Sequence, residues 1–121
     1  MRVAVVGSRT FHIEDWENYL PPDTDEIISG GAKGIDQSVR RYAHSHKIAF
    51  REFLPEYDKY GKRAPLLRNI SIIENADLVL AFWDGVSRGT KFVIAECQSR
   101  HIPIRVFRPP NQYSSANPDI L

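Results

Sequence analysis

The chain has 121 residues, of which 42% are hydrophobic, and its 16 Lys and Arg against 15 Asp and Glu give a formal net charge of +1. This length is typical of one domain with its own hydrophobic core. The near-neutral charge excludes a strong whole-molecule attraction to nucleic acid or to anionic membranes.

The amino-acid composition also indicates the cellular compartment and the kinds of partner to expect. The single cysteine, Cys97, excludes an internal disulfide and a cysteine-rich zinc site. The sequence has no apolar stretch near the roughly 20 residues that span a bilayer, and its first residues do not follow a signal-peptide pattern. We therefore expect a cytoplasmic protein with no membrane partner, no metal site and no cofactor.

Five short runs predict the strands of an α/β domain, and in chain order they are Val3 to Val6, Glu26 to Ser29, Ile48 to Leu54, Leu78 to Trp83 and Ile102 to Phe107. The first and fourth runs are continuously apolar, as in parallel strands covered on both faces. Charge or proline in the third and fifth runs favours sheet edges. The simplest right-handed layout is a Rossmann-like three-layer sandwich with a five-stranded parallel sheet in the order 3-2-1-4-5. We expect it to span residues 1–107, with an irregular C-terminal tail over 108–121.

Helical periodicity predicts segments between these strands at Ile13 to Leu20, Gly34 to Lys47, Ala64 to Ala76 and Gly89 to His101. The last is the most uniformly apolar, which predicts a well-buried helix. Tyr57 to Arg63 is interpreted as a loop rich in aromatic and basic residues. Such a loop is either simply solvated or a lid that stacks on a ligand.

The sharpest local signal is the turn Ser29-Gly30-Gly31-Ala32-Lys33-Gly34, which follows the second strand and opens a helix. Glycines let the backbone approach a ligand closely, and the N–H groups at the start of the helix favour an anion. The order of residues is neither a Walker motif nor GxGxxG. The turn therefore indicates an anion site of another kind, or else only a tight strand-to-helix connection.

Other polar residues follow the remaining strands or open the remaining helices. Asp36 either complements the dipole of its helix or accepts hydrogen bonds from ribose hydroxyls. Ser87 and Thr90 either cap the last helix or help to hold a phosphate. Because the carboxyl ends of parallel strands share one edge of a sheet, these groups are predicted to converge there.

The order of the motifs resembles the SLOG superfamily, and most of all its small bacterial and phage domains related to YspA and YpsA. The similarity covers about residues 2 to 107 and rests on Gly7-Ser8-Arg9, Ser29 to Asp36, Lys59-Tyr60-Gly61-Lys62, Arg68-Asn69, Ala76-Asp77, Phe82-Trp83-Asp84-Gly85 and Ser87-Arg88-Gly89-Thr90. It implies a Rossmann-like sheet that binds a nucleotide or a nucleotide-derived small molecule. The ligand-binding residues expected from the loops and this resemblance are Gly7, Ser8, Arg9, Ser29, Gly30, Gly31, Ala32, Lys33, Gly34, Asp36, Tyr60, Lys62, Arg68, Asn69, Asp84, Ser87, Arg88, Gly89 and Thr90.

Two better-defined relatives imply competing functions. The Lonely Guy phosphoribohydrolases hydrolyse the N-glycosidic bond of nucleoside monophosphates, but Val93 stands where their motif has its catalytic glutamate. Glu96 lies three residues further on, about 4.5 Å along the helix axis, and Asp84 and Asp36 are the other candidate catalytic carboxylates. The DNA-processing protein A family binds single-stranded DNA, which the near-neutral charge of this chain disfavours.

The sequence therefore favours a binding domain for a nucleotide derivative, acting as a sensor or sequestering module. A nucleotide N-glycosidase or transferase is the alternative. The oligomeric state, including a homo-oligomer, stays open.

Overall fold

Consecutive buried residues on the central strands show that the sheet is covered on both faces. The computed structural model describes residues 1–31 and 34–108. Within them, β1 (Arg2–Gly7), β2 (Glu26–Ser29), β3 (Ala49–Glu52), β4 (Leu78–Phe82) and β5 (Ile104–Phe107) pair in parallel in the order β3-β2-β1-β4-β5. This confirms the predicted α/β architecture and strand order. The apolar strands β1 and β4 are central, and the mixed strands β3 and β5 form the edges.

The helices are α1 (Ile35–Ser45), α2 (Tyr57–Tyr60), α3 (Ala64–Glu74) and α4 (Arg88–Ser99). On one face of the sheet, Val3, Val5 and Phe82 pack with Ile35 and Val39 of α1. On the other face, Ala4, Ile28 and Val79 pack with residues of α3 and α4, namely Ile72, Ile73, Val93 and Cys97. No helix in these described ranges is long and apolar enough to cross a membrane.

The helix predicted over Ile13 to Leu20 is wrong, because only Trp16–Asn18 forms a short 3-10 turn. Phe11 and Ile13 are buried, and the residue between them is exposed. This alternation is typical of an extended segment. The hydroxyl of Ser38 donates to the carbonyl of Ile13 and accepts the indole N–H of Trp16 at 2.8 Å. Tertiary bonds therefore replace helical ones along this segment.

Two other expectations need correction. Tyr57 to Arg63 is not a loop, because it forms α2 followed by a 3-10 turn over Gly61–Arg63. Helix α4 is not buried all round, since only Thr90, Val93 and Cys97 are fully buried along one face. Helix α4 contacts α3 and the strands β4 and β5. The irregular tail is predicted over 108–121. Of these residues only Arg108 is described by the structure, and 109–121 lie outside it.

The Ser38 hydroxyl gives a test of this packing. In Ser38→Ala, the buried N–H of Trp16 and the carbonyl of Ile13 lose their shared partner. We expect the free energy of unfolding to fall by about 1–3 kcal/mol, the cost of an unsatisfied buried polar group. Urea denaturation followed by Trp fluorescence measures it. Ser45→Ala, on the same helix with an exposed hydroxyl, should change the value by less than about 0.5 kcal/mol; equal effects of the two substitutions would contradict the packing.

Candidate functional site

A cavity of about 110 Å³ lies at the carboxyl ends of β1 and β2, between the starts of two helices. The sheet connectivity reverses between β1 and β4, and such a switch point is where open α/β sheets bind ligands. The residues that line the cavity are Val5, Val6, Gly7, Gly30, Asp36, Arg68, Asn69, Ile72, Gly89, Thr90 and Val93. Seven of the sequence-predicted site residues therefore meet here: Gly7, Gly30, Asp36, Arg68, Asn69, Gly89 and Thr90.

Two helix N-termini border the cavity. Helix α1 follows Gly34, and α4 follows Ser87, and among the described residues neither has a side-chain cap. The first N–H groups of a helix have no partner within the helix, and they carry the positive end of its dipole. Gly89 adds room at the start of α4, since a β-carbon there would meet no atom within 4 Å. This end of the cavity is thus open to an anion.

Arg68 supplies the cationic side chain among the described lining residues. Its Nε donates to the side-chain oxygen of Asn69 at 2.8 Å, and its Nη1 donates to the carbonyls of Gly30 and, at 3.5 Å, Phe53. Desolvation by burial lowers the pKa of Arg68, while the charge of Asp36 and the ring hydroxyl of Tyr57 oppose that change. An arginine starts from a pKa above 12, so the guanidinium stays charged at neutral pH.

The glycine at position 30 allows this arrangement. A β-carbon there would lie 3.0 Å from Nη1 of Arg68 and 3.2 Å from Cδ1 of Ile72. The side chains of Arg68 and Ile72 would have to shift by a few tenths of an ångström. Gly31 has a different role. Its φ of +81° favours glycine, and a β-carbon there would lie only 2.6 Å from Cδ2 of Leu54.

Ser29 and Asp36 form a buried pair beside the cavity. The hydroxyl of Ser29 donates to Oδ1 of Asp36, and both side chains are almost completely buried. Asp36 lies in the first turn of α1, where a negative charge is favoured by the helix dipole. It is also close enough to Arg68 to raise the pKa of that guanidinium. Of the three candidate catalytic carboxylates, Asp36 is the one that lines the cavity.

Asp84 orders the loop between β4 and α4. Its carboxylate accepts the backbone N–H groups of Val86 and Ser87 at 2.9 and 2.7 Å and the hydroxyl of Ser87 at 2.8 Å. Desolvation raises the pKa of Asp84, but these hydrogen bonds and one with Ser8 outweigh it and lower the pKa to about 2. Asp84 is therefore ionised at neutral pH and has no proton to donate. Its own N–H donates to Oγ of Ser8 at 3.2 Å, which joins this loop to the end of β1.

Several predicted residues lie elsewhere. Arg9, Lys62 and Arg88 are exposed and do not line the cavity. Glu96 accepts a hydrogen bond from Arg100 at 3.1 Å on the outer part of α4. Tyr60 lines a neighbouring groove instead. Ala32 and Lys33 lie outside the described residues.

Sequence reasoning missed the apolar walls of the cavity. Ile72 lies four residues after Arg68, and Val93 lies three after Thr90, so each shares a helix face with a predicted site residue. Helical spacing from the motif residues is a signal that could have found them. It also missed the groove beside Tyr60, whose lining comes from β3 and from segments on both sides of α2.

Comparison with known proteins identifies one relative. No family model and no solved structure matches the chain. The chain is 32% identical over 116 residues to the Gene 61 protein of Mycobacterium phage D29, and the match covers 85% of this chain and 93% of that protein. Identity at this level over nearly the whole of both proteins indicates common descent. The chain belongs to the same family as the Gene 61 protein of Mycobacterium phage D29.

Proposed function

We propose that this chain binds a phosphate group of a nucleotide or nucleotide-derived molecule in the cavity between α1 and α4, and that it acts as a sensor or sequestering module. The observation that carries the proposal is the meeting of two helix N-termini and the Arg68 guanidinium around one cavity. The resemblance of the motifs to the SLOG superfamily supports the same function.

The chemistry of the lining suits a phosphate. Arg68 offers a positive charge beside the cavity, although its Nε and Nη1 already donate within the protein, and the starts of α1 and α4 offer backbone N–H groups and partial positive charge. The polar donors lie against apolar walls from Val5, Val93 and Ile72. Hydrogen bonds to charge are stronger where water is excluded.

The binding free energy of a nucleotide requires several hydrogen-bond donors to act together. Micromolar affinity needs about 8 kcal/mol, whereas one hydrogen bond to a charged group contributes about 1.5–3 kcal/mol net. Three to five such bonds are required. Neither Arg68 nor one helix end alone would suffice, so the proposal depends on both sides of the cavity.

Replacing Arg68 tests the cationic side. We expect Arg68→Ala to weaken the binding of ADP or pyrophosphate by about 10- to 150-fold, which corresponds to the loss of one charge-assisted bond. Isothermal titration calorimetry measures the affinity. Arg41→Ala, which removes an exposed arginine from α1, is the matched control and should leave the affinity unchanged. The proposed site is wrong if both variants bind equally well or are weakened equally.

Gly89 provides a test that leaves Arg68 and its structural hydrogen bonds intact. A β-carbon at Gly89 meets no neighbouring atom, so Gly89→Leu should fold and should raise helix propensity. Because Gly89 lines the cavity, the added leucine side chain should reduce ADP binding at least tenfold. Thermal unfolding verifies the fold, and calorimetry verifies the affinity. A folded Gly89→Leu protein that binds ADP as the parent does would refute the role of α4.

The position of Val93 bears on hydrolysis. Val93 lines the cavity and is 1% exposed, and valine cannot exchange a proton. General acid–base catalysis commonly contributes about 10²–10⁴-fold in rate. We therefore expect no release of adenine from AMP at an ordinary enzymatic rate, as measured by chromatography. Rapid release that is abolished in a folded Asp36→Asn variant would instead favour the N-glycosidase function, with Asp36 as its carboxylate.

A further inference from the structure

A groove of about 500 Å³ lies directly beside the cavity, between the end of β3 and the outer side of α3. Arg68 lines both spaces, so the groove and the cavity meet at its guanidinium. The other walls come from Arg51 to Leu54, from Glu56 and Tyr60 around α2, and from Leu67 and Ser71 of α3.

The volumes of the cavity and the groove suit different parts of a ligand. Pockets for small molecules and cofactors commonly measure about 300–1,000 Å³. The cavity, at about 110 Å³, accommodates a small anion but not a complete nucleotide. The groove, at about 500 Å³, is large enough for the remainder. A ligand whose phosphate contacts Arg68 from the cavity therefore extends into the groove.

The groove has aromatic and planar groups that suit a flat ring. The Arg51 guanidinium lies over the Phe53 ring, 5.3 Å from its centroid. The Tyr60 side chain, 40% exposed, lines the same groove from α2. Aromatic rings and arginine planes are the surfaces on which nucleobases stack. Leu54 and Leu67 add apolar area beside them.

Carboxylates give the groove hydrogen-bond acceptors. Glu52 and Glu56 both line the groove, together with Arg51 and Arg68, and Arg40 approaches Oε1 of Glu52 at 3.4 Å. Carboxylate oxygens accept hydrogen bonds from amino groups. The groove thus suits an end of the ligand that carries N–H donors.

We infer that the groove binds the nucleobase of the ligand, a planar heterocycle with an exocyclic amino group, while the phosphate lies on the cavity side of Arg68. This inference rests on the proposed phosphate site and assigns the ligand class. Arg68 then contacts the ligand where its two halves join.

The experiment compares AMP with ribose 5-phosphate, which has the same phosphate and sugar but no base. Stacking of one base contributes about 10- to 100-fold in affinity, so AMP should bind at least tenfold more tightly by calorimetry. Leu67→Trp, which places a large side chain in the groove, should make the two affinities equal. Leu66→Trp is the matched control, because Leu66 is exposed and does not line the groove; it should retain the preference for AMP.

A milder variant avoids any effect of bulk on folding. Glu56→Gln keeps the size of an exposed side chain but removes its charge, and we expect it to weaken AMP binding about three- to tenfold. It should leave ribose 5-phosphate binding unchanged. Asp58→Asn removes a neighbouring exposed charge outside the groove and should alter neither affinity.

The outcomes separate the two proposals. Equal binding of AMP and ribose 5-phosphate by the parent protein, or a preference that persists in folded Leu67→Trp, would overturn the groove assignment while leaving the phosphate site intact. Failure of AMP, ribose 5-phosphate and pyrophosphate all to bind would overturn the phosphate site, and the groove assignment with it.

Discussion

The contact between the Arg68 guanidinium and the backbone of Gly30 holds the candidate site together. Arg68 projects from α3, on one face of the sheet, and its Nη1 donates to the carbonyl of Gly30 at the end of β2. The absence of a side chain at Gly30 lets the guanidinium lie this close. This contact ties α3 to the residue that follows β2, and Arg68 lines both the cavity and the groove. Local structure and the proposed ligand recognition therefore depend on the same side chain.

A second set of hydrogen bonds leaves the N-terminus of α4 uncapped. Serine is a common helix cap, but the hydroxyl of Ser87 donates to Asp84 instead of capping α4. Asp84 also accepts two backbone N–H groups of its own loop, and its N–H donates to Ser8. The loop is thus ordered by its own residues and by β1. The N–H groups at the start of α4 are left open to the cavity, so these hydrogen bonds hold the loop without blocking the end of the helix.

The sheet could be predicted from the sequence because its signals are local and repeated. Continuous apolar runs identified β1 and β4 as central, and Arg51 and Pro103 identified the edges. The segment before β2 could not be predicted in the same way. Its conformation depends on the buried hydroxyl of Ser38, 25 residues away from Ile13, and helical periodicity carries no information about such a bond.

The site was predictable only in part, for a related reason. The motif residues that end strands or open helices, such as Gly30, Arg68 and Gly89, converge because parallel strands share one carboxyl edge. Arg9, Arg88 and Lys62 belong to the same motifs but are exposed, because a motif specifies position along the chain and not the direction of a long side chain. The groove was missed because its walls combine β3, α3 and the residues around α2, which carry no common motif.

The charge balance around the cavity explains why a phosphate site alone would discriminate poorly. Each helix N-terminus carries about half an elementary positive charge, so α1, α4 and Arg68 together provide about two. The Asp36 carboxyl also lines the cavity and opposes part of this positive charge. The described residues thus give the cavity a modest positive charge, enough to orient a phosphate but not to hold every phosphate compound tightly. In the proposed arrangement, discrimination between ligands would come from the uncharged part of the molecule, which would lie against the aromatic and polar walls on the other side of Arg68.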